Sequence, residues 1–448
     1  MTKCDILIRG CRVLRPDMTI SGECSVAIDG SLIHKIGTVD EMAAEYEAAE
    51  FLDGKGKLLM PGLVDGHTHT CQQLLRGRVS DEYPMIWTRF LVPFESNLRP
   101  EDSHISGQLA CLEMIKNGTT AFADSGGVHM EQVAEAVLES GMRAAIAKST
   151  MDMGAAITGA MKETAREAVN RTKELCRAYQ GAGGGRIDIW FAIRQVMTCS
   201  QELIAMVRDA AAEFHTGIHA HLCEHKDEVS FCLQNYKQRP AQFLDSMGVL
   251  GPNLLTAHNV MLSDQDIAVM AEREVKVVHC PRANLSSHGF PKTPQILQAG
   301  LNVGLGCDGA APSSLDLFDE MKVLRYGMIA YWGLPSFNPV VLTCATVLKM
   351  ATQGGACAIG KGDILGTIEE GKKADVILLN IDQPHLQPSQ NLLNTIVEAA
   401  NGHDVTDSII DGKIVMKKRE VLTLDEEKIR FEAQRHMEEI VRRAYGTV

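Results

Sequence analysis

Eight apolar, β-rich runs recur through the middle of this 448-residue chain, with helix-patterned stretches between them. They are LVDGHTH, TTAFADS, RAAIAKST, IDIWFAI, TGIHAHL, LLTAHNV, VKVVHCP and NVGLGCD, the first starting at Leu63 and the last ending at Asp308. Strands buried on both faces and separated by helices run parallel, because a crossover helix brings each strand back to the same end of the sheet. Eight is the number that closes a (β/α)8 barrel. Among the intervening stretches, MEQVAEAVLESG and DQDIAVMAEREV carry the helical period. Ser263, with Asp266 three residues on, opens the second with a capping box.

Outside this region the pattern changes. Residues 1–60 hold short alternating runs (DILIRGCRVL, SVAIDGSLIHKIG, KLLMPG), and similar runs return after residue 360 in ADVILLN and DSIIDGKIVMKKREV. The expected fold is therefore α/β. A (β/α)8 barrel over 61–360 is inserted between the halves of a small β-sandwich domain, residues 1–60 and 361–422. A charged, helically periodic stretch over 423–448 is expected to form a C-terminal helix.

The net charge is −13 and no basic run stands out, which argues against a nucleic-acid partner. No stretch of about 18 apolar residues exists to span a membrane. The start, MTKCDILIRGCRVL, lacks an export signal. Thirteen cysteines, an odd number without a CxxC pair, fit reduced thiols in a cytoplasmic protein.

A parallel barrel places its active site at the C-terminal ends of its strands. In the first strand His67 and His69 alternate, so both imidazoles face one side. The fifth ends HAHLCEH, which supplies His219, His221 and Glu224. The sixth ends in His258, the seventh in His279 and the eighth in Asp308. A lone strand-end histidine is usually structural. Histidines on four strand ends, with a carboxylate on another, point to a metal site suited to zinc or ferrous iron.

Together PGLVDGHTHT, HAHLCEH, TAHNV, VVHCPRANL and LGCDGAAPSSLDLFDEM resemble the amidohydrolase superfamily. They are most similar to its branch of methylthioadenosine/S-adenosylhomocysteine deaminases and s-triazine chlorohydrolases. The resemblance extends to GTIEEGKKADVILL and covers nearly the whole chain. It implies that His67, His69, His221 and Asp308 ligate the metal. Glu224 matches the proton shuttle, and His258 the histidine that hydrogen-bonds the attacking water. Asp308 would also take that water's proton and pass it to the leaving ammonia. His219 shares a face with His221 and competes as a ligand, but the family spacing, three residues before Glu224, selects His221. Other branches bridge two ions with a lysine on the fourth strand. IDIWFAIRQVMT has none, so one divalent ion per chain is expected, zinc with iron as the alternative.

The resemblance also suggests substrate contacts. Glu95 stands where nucleoside deaminases hold ribose hydroxyls. Trp87, in the Asp81–Glu95 stretch expected to cover the barrel mouth, offers a face for a flat ring. His279 matches a position near the pocket. One stretch departs from the nucleoside deaminases: where they carry Pro-His, this chain has Ile193 and Arg194. A guanidinium there is a fixed charge with five donors and no acceptor, so it suits an oxo group or an anionic ring.

The activity expected is a metal-dependent aminohydrolase that releases ammonia from an N-heterocycle such as a purine, pterin or pyrimidine. The alternative on the same site is chlorohydrolysis of a triazine. A non-catalytic scaffold is disfavoured because the ligand set is complete. The expected partner is a small molecule, and homo-oligomers are common among such barrels.

Overall fold

The computed structural model describes residues 1–82, 85–154, 157–309, 313–338 and 340–446, less the side chain of Ala160. Five strands come first: β1 (Thr2–Val13), β2 (Cys24–Asp29), β3 (Leu32–Gly37), β4 (Tyr46–Asp53) and β5 (Lys57–Pro61). The barrel follows: β6 (Leu63–His69), β7 (Thr119–Asp124), β8 (Arg143–Ala147), β9 (Ile187–Ile193), β10 (Ile218–Leu222), β11 (Leu254–His258), β12 (Lys276–His279) and β13 (Val303–Leu305). A two-residue strand, β14 (Asp308–Gly309), pairs with the end of β6. The chain then adds β15 (Val376–Asn380), β16 (Val405–Ile410), β17 (Lys413–Lys417) and β18 (Glu420–Val421).

Each barrel strand pairs in parallel with the next, and Leu305 of β13 pairs with Asp65 of β6 to close the ring. This is the eight-stranded barrel expected from the eight runs. Side chains at alternate positions fill its interior: Val64, Ala121 and Ala123, Ala145 and Ala147, Trp190 and Ala192, Leu255, Val278. The many alanines leave room for Trp190. The turn Gly355–Ala358 sits against the start of the strands, where a Cβ on Gly355 would come within 2.5 Å of the Val64 carbonyl. The opposite end is left to the polar strand ends. Met130–Ser140 is helical, as is Asp264–Glu272, whose Ser263–Asp266 capping box is formed.

The remaining strands make one sheet in the order β18-β17-β16-β15-β5-β1-β2-β3, with β4 also on β1. The two ends of the chain meet where β15 pairs antiparallel with β5, Val376 opposite Pro61. The sheet turns at β1, whose residues 2–9 pair with β4 while Arg12 and Val13 pair with β5. Its halves close on Ile6, Ile8, Val26, Leu378 and Ile409. Arg143 ties the barrel to this sheet: it is 2% exposed and donates to both oxygens of Asp375 at 2.8 and 3.1 Å.

The C-terminal helix, Glu426–Tyr445, starts at an Asp425 cap and packs on the helix Pro100–Lys116. There the buried Asp102 meets His436 Nδ1 at 2.6 Å and also pairs with Arg443. Among the described residues no helix is long and apolar enough to cross a membrane. All thirteen cysteines are unpaired.

Candidate metal centre

The strand ends bring the expected side chains to one place. Alternation on β6 turns His67 and His69 inward, 0% and 2% exposed. His221 on β10 and Asp308 on β14 face them. His69 Nε2 lies 3.2 Å from His221 Nε2, and Asp308 Oδ1 is 3.5 Å from Nε2 of both His67 and His69. Two nitrogens on one tetrahedral ion, each bonded at 2.0–2.1 Å, sit about 3.3 Å apart. The spacing therefore suits a shared ion.

The tautomers fit as well. His69 Nδ1 donates to the Gly126 carbonyl at 3.2 Å, which leaves Nε2 with its lone pair toward His221. His67 Nδ1 lies 2.8 Å from His219 Nε2, while the buried His67 Nε2 has no hydrogen-bond partner among the described residues. Burial lowers the pKa of His67, and lowers those of His69 and His221 further. The positive charge of Arg194 adds to the effect on His69 and His221. All three are neutral near pH 7, the form that ligates a metal. Burial alone would raise Asp308, but the neighbouring His67, His258 and His69 hold it well below the carboxylate range.

His258 is also near His67 and His221, but its tautomer differs. Asn284 Oδ1 accepts from the Cys280 N–H at 3.3 Å, so Asn284 Nδ2 donates to His258 Nδ1 at 2.9 Å. A proton on His258 Nε2 then lies 3.9 Å from Glu224 Oε1. That nitrogen is placed to donate into the site. His279, 0% exposed, donates from Nδ1 to the His258 carbonyl at 3.0 Å and lies beneath it. Burial drops its pKa to about 4. His258 and Asp308 hold φ of +74° and +62°, left-handed backbone of the kind that clusters at functional sites.

Glu224 follows β10. Its Oε2 accepts from Gln195 Nε2 at 3.0 Å, and its Oε1 faces His288 Nε2 at 3.6 Å. Its backbone N–H donates to the buried Glu228 carboxyl at 3.2 Å. Burial would raise the Glu224 pKa, but His258, with smaller contributions from His288 and His225, outweighs it and lowers the value. The side chains of Glu224 and Asp308 stay 18% and 21% exposed, so solvent reaches the site beside them.

The residues expected to contact substrate are arranged differently from the expected ligands. Arg194 turns inward, 4% exposed. Its Nη2 is 3.5 Å from Glu95 Oε1, and its Nη1 is 3.3 Å from the Gly126 carbonyl and 3.4 Å from Ser149 Oγ. Glu95 is fully buried, and its Oε1 also accepts from Gln72 Nε2 at 2.7 Å. Trp87 is half-buried against the main core. Tyr83 and Pro84, in the stretch expected to cover the mouth, lie outside the described residues, as do 310–312 of the eighth-strand motif. Gln195, Asn284 and His288 carry no motif signal of their own. Their only sequence cues are adjacency to Arg194 for Gln195, a place in the VVHCPRANL stretch for Asn284 and nearness to its end for His288.

Residues 58–415 match the model of the family described as "Amidohydrolase family". A 5-methylthioadenosine/S-adenosylhomocysteine deaminase from Pelotomaculum thermopropionicum is 38% identical, covering 98% of this chain and 99% of its own. A 5'-deoxyadenosine deaminase from Methanosarcina mazei is 37% identical, with the same coverage. Among solved structures, an adenosine deaminase from Xanthomonas campestris with bound zinc superposes with a TM-score of 0.92. It is 30% identical and covers 98% of this chain and 99% of its own.

Proposed function

The chain belongs to the amidohydrolase family, and from that membership we propose which residues run its reaction and what it acts on. The protein is a metal-dependent deaminase, a hydrolase of the carbon–nitrogen bond to an exocyclic amine on an N-heterocycle. In our reading His67, His69, His221 and Asp308 hold one divalent ion, zinc or alternatively iron. When bound, that ion supplies the Lewis acidity that makes a water nucleophilic near neutral pH.

The protein's own groups do the rest. His258 Nε2–H donates toward the attacking oxygen. Glu224 takes one proton of the attacking water and delivers it to the ring nitrogen beside the scissile carbon, which eases attack on C–NH₂. Asp308 takes the water's remaining proton and passes it to the departing ammonia. The observation that carries this reading is the convergence of the 3.2 Å His69–His221 pair, Asp308 and Glu224 at one end of the barrel. Thirteen unpaired cysteines support a reducing, cytoplasmic setting.

For the substrate, we read Arg194 as the discriminating group. The named relatives act on adenosine derivatives by their printed names. Among the described residues Arg194 has three contacts, all 3.3–3.5 Å long, so its fork keeps donors for a ligand. A carbonyl oxygen or a negative charge, away from the scissile amine, is what it would bind.

Ammonia release over a panel of oxo-purines, pterins, pyrimidines and adenosine derivatives tests this reading. The oxo compounds should be turned over best. Arg194→Met should cost roughly ten- to a hundredfold in kcat/KM on them, with little change for an analogue lacking the oxygen. Best turnover on adenosine-type nucleosides would defeat the substrate assignment. Chloride release from a chlorotriazine without any ammonia release would point to the other leaving group.

A further inference from the structure

Gln195 follows Arg194 directly, and its side chain reaches Glu224. Its Nε2 donates to Glu224 Oε2 at 3.0 Å. The facing carboxylate fixes the amide's orientation: ionised Glu224 repels an oxygen and accepts a hydrogen. That leaves Gln195 Oε1 as the free end, and this oxygen is buried with no hydrogen-bond partner among the described residues. The residue is only 8% exposed, and it sits beside the partly open Glu224 side chain. A buried amide oxygen without a donor is costly and uncommon in native proteins. Here it belongs to the same planar group that grips the proton shuttle.

We propose that Gln195 is a specificity-determining residue: Nε2 positions Glu224, and Oε1 accepts a hydrogen bond from an N–H of the substrate ring. The proposal rests on the aminohydrolase reading above and sharpens it. Arg194 supplies donors and Gln195 an acceptor from adjacent positions. One functional group offers both complements side by side, the lactam –C(=O)–N(H)–. The substrate class is therefore an amino-lactam heterocycle, with the scissile amine on the amidine carbon next to that N–H.

The test uses the metal-loaded enzyme and matched compounds: guanine with 1-methylguanine, and pterin with 3-methylpterin. Methylation keeps the carbonyl and the leaving amine but removes the N–H. Wild-type kcat/KM should fall roughly ten- to a hundredfold on methylation, as expected when a buried acceptor loses its donor. In Gln195→Met, with metal content unchanged, kcat should fall on every substrate because Glu224 loses its holder. The penalty for methylation should also shrink to within about threefold, since no acceptor remains to be stranded. A merely structural role for Gln195 would not move that ratio.

The wild-type ratio needs no variant, so misfolding of Gln195→Met does not shield the proposal. Equal turnover of either wild-type pair would overturn it. So would a Gln195→Met enzyme that still discriminates as wild type does. Ammonia released only from heterocycles without a lactam would overturn this proposal and leave the aminohydrolase reading standing. No ammonia from any amino-heterocycle would remove both.

Discussion

His67 Nδ1 lies 2.8 Å from Nε2 of His219, both rings buried, and this contact aims His67 Nε2 at the site shared with Asp308. His219, two positions before the expected ligand His221, is in our reading the residue that orients His67. Partners of this kind set the tautomer and ring angle of a ligating histidine. His219→Ala should keep the fold and weaken metal affinity by about 10–100-fold, the usual effect of losing such a partner. Competition with a chromophoric chelator measures it, and wild-type affinity in the variant would show that His219 only fills space.

Glu224→Gln keeps the shape of the side chain and removes its proton chemistry. Metal content should stay at the wild-type level while kcat falls by about 10²–10⁴, the range for general acid–base help. A metal-replete variant with near wild-type kcat would assign the proton transfer elsewhere.

Arg143 and Asp375 make a prediction about stability alone. The pair is buried and bidentate, and it joins barrel strand β8 to the small sheet. Removing one partner strands the other charge, which costs about 3–5 kcal/mol. Denaturant unfolding of Arg143→Met should show a loss of that size, with metal binding by the folded fraction unchanged. A loss under 1 kcal/mol would mean the ion pair contributes little.

Glu228 gives a prediction in pH. Burial, with the nearby Glu224 charge, pushes its carboxyl up to about 8 from an ordinary 4.5. Between those values the folded chain holds a proton that the unfolded chain has lost. Stability from this group is therefore full below about pH 4.5 and is lost as pH rises through 8. Glu228→Gln carries no titrating proton. Its stability relative to wild type should grow with pH by up to about 1.4 kcal/mol per unit between pH 5 and 8, then level off. Urea unfolding at pH 5.5, 7 and 8.5 reads this, and a constant difference would contradict it.

Much of the scaffold and ligand set is legible in the sequence because period and position encode it. Val64, Ala121 and Ala145 alternate with outward residues, so strand count and barrel closure follow from the pattern. His67 and His69 share a face because strands repeat every two residues. The same rule hides the difference between His219 and His221, which also lie two apart: in our reading only their depth in the barrel separates an orienter from a ligand. Asn284 and Gln195 act through hydrogen-bond direction, which depends on the groups opposite them and leaves no trace in spacing. The inward turn of Arg194 is likewise set by Glu95, a residue 99 positions away in the chain.

Ammonia release measured against metal content bears most directly on the whole account. Protein stripped by a chelator should be inactive on its best amino-heterocycle, and titration with zinc or ferrous ion should restore release, saturating near one ion per chain. His67→Ala and Asp308→Ala should fail to recover. Ammonia release that survives stripping, or that needs two ions per chain, would contradict a single centre built on His67, His69, His221 and Asp308.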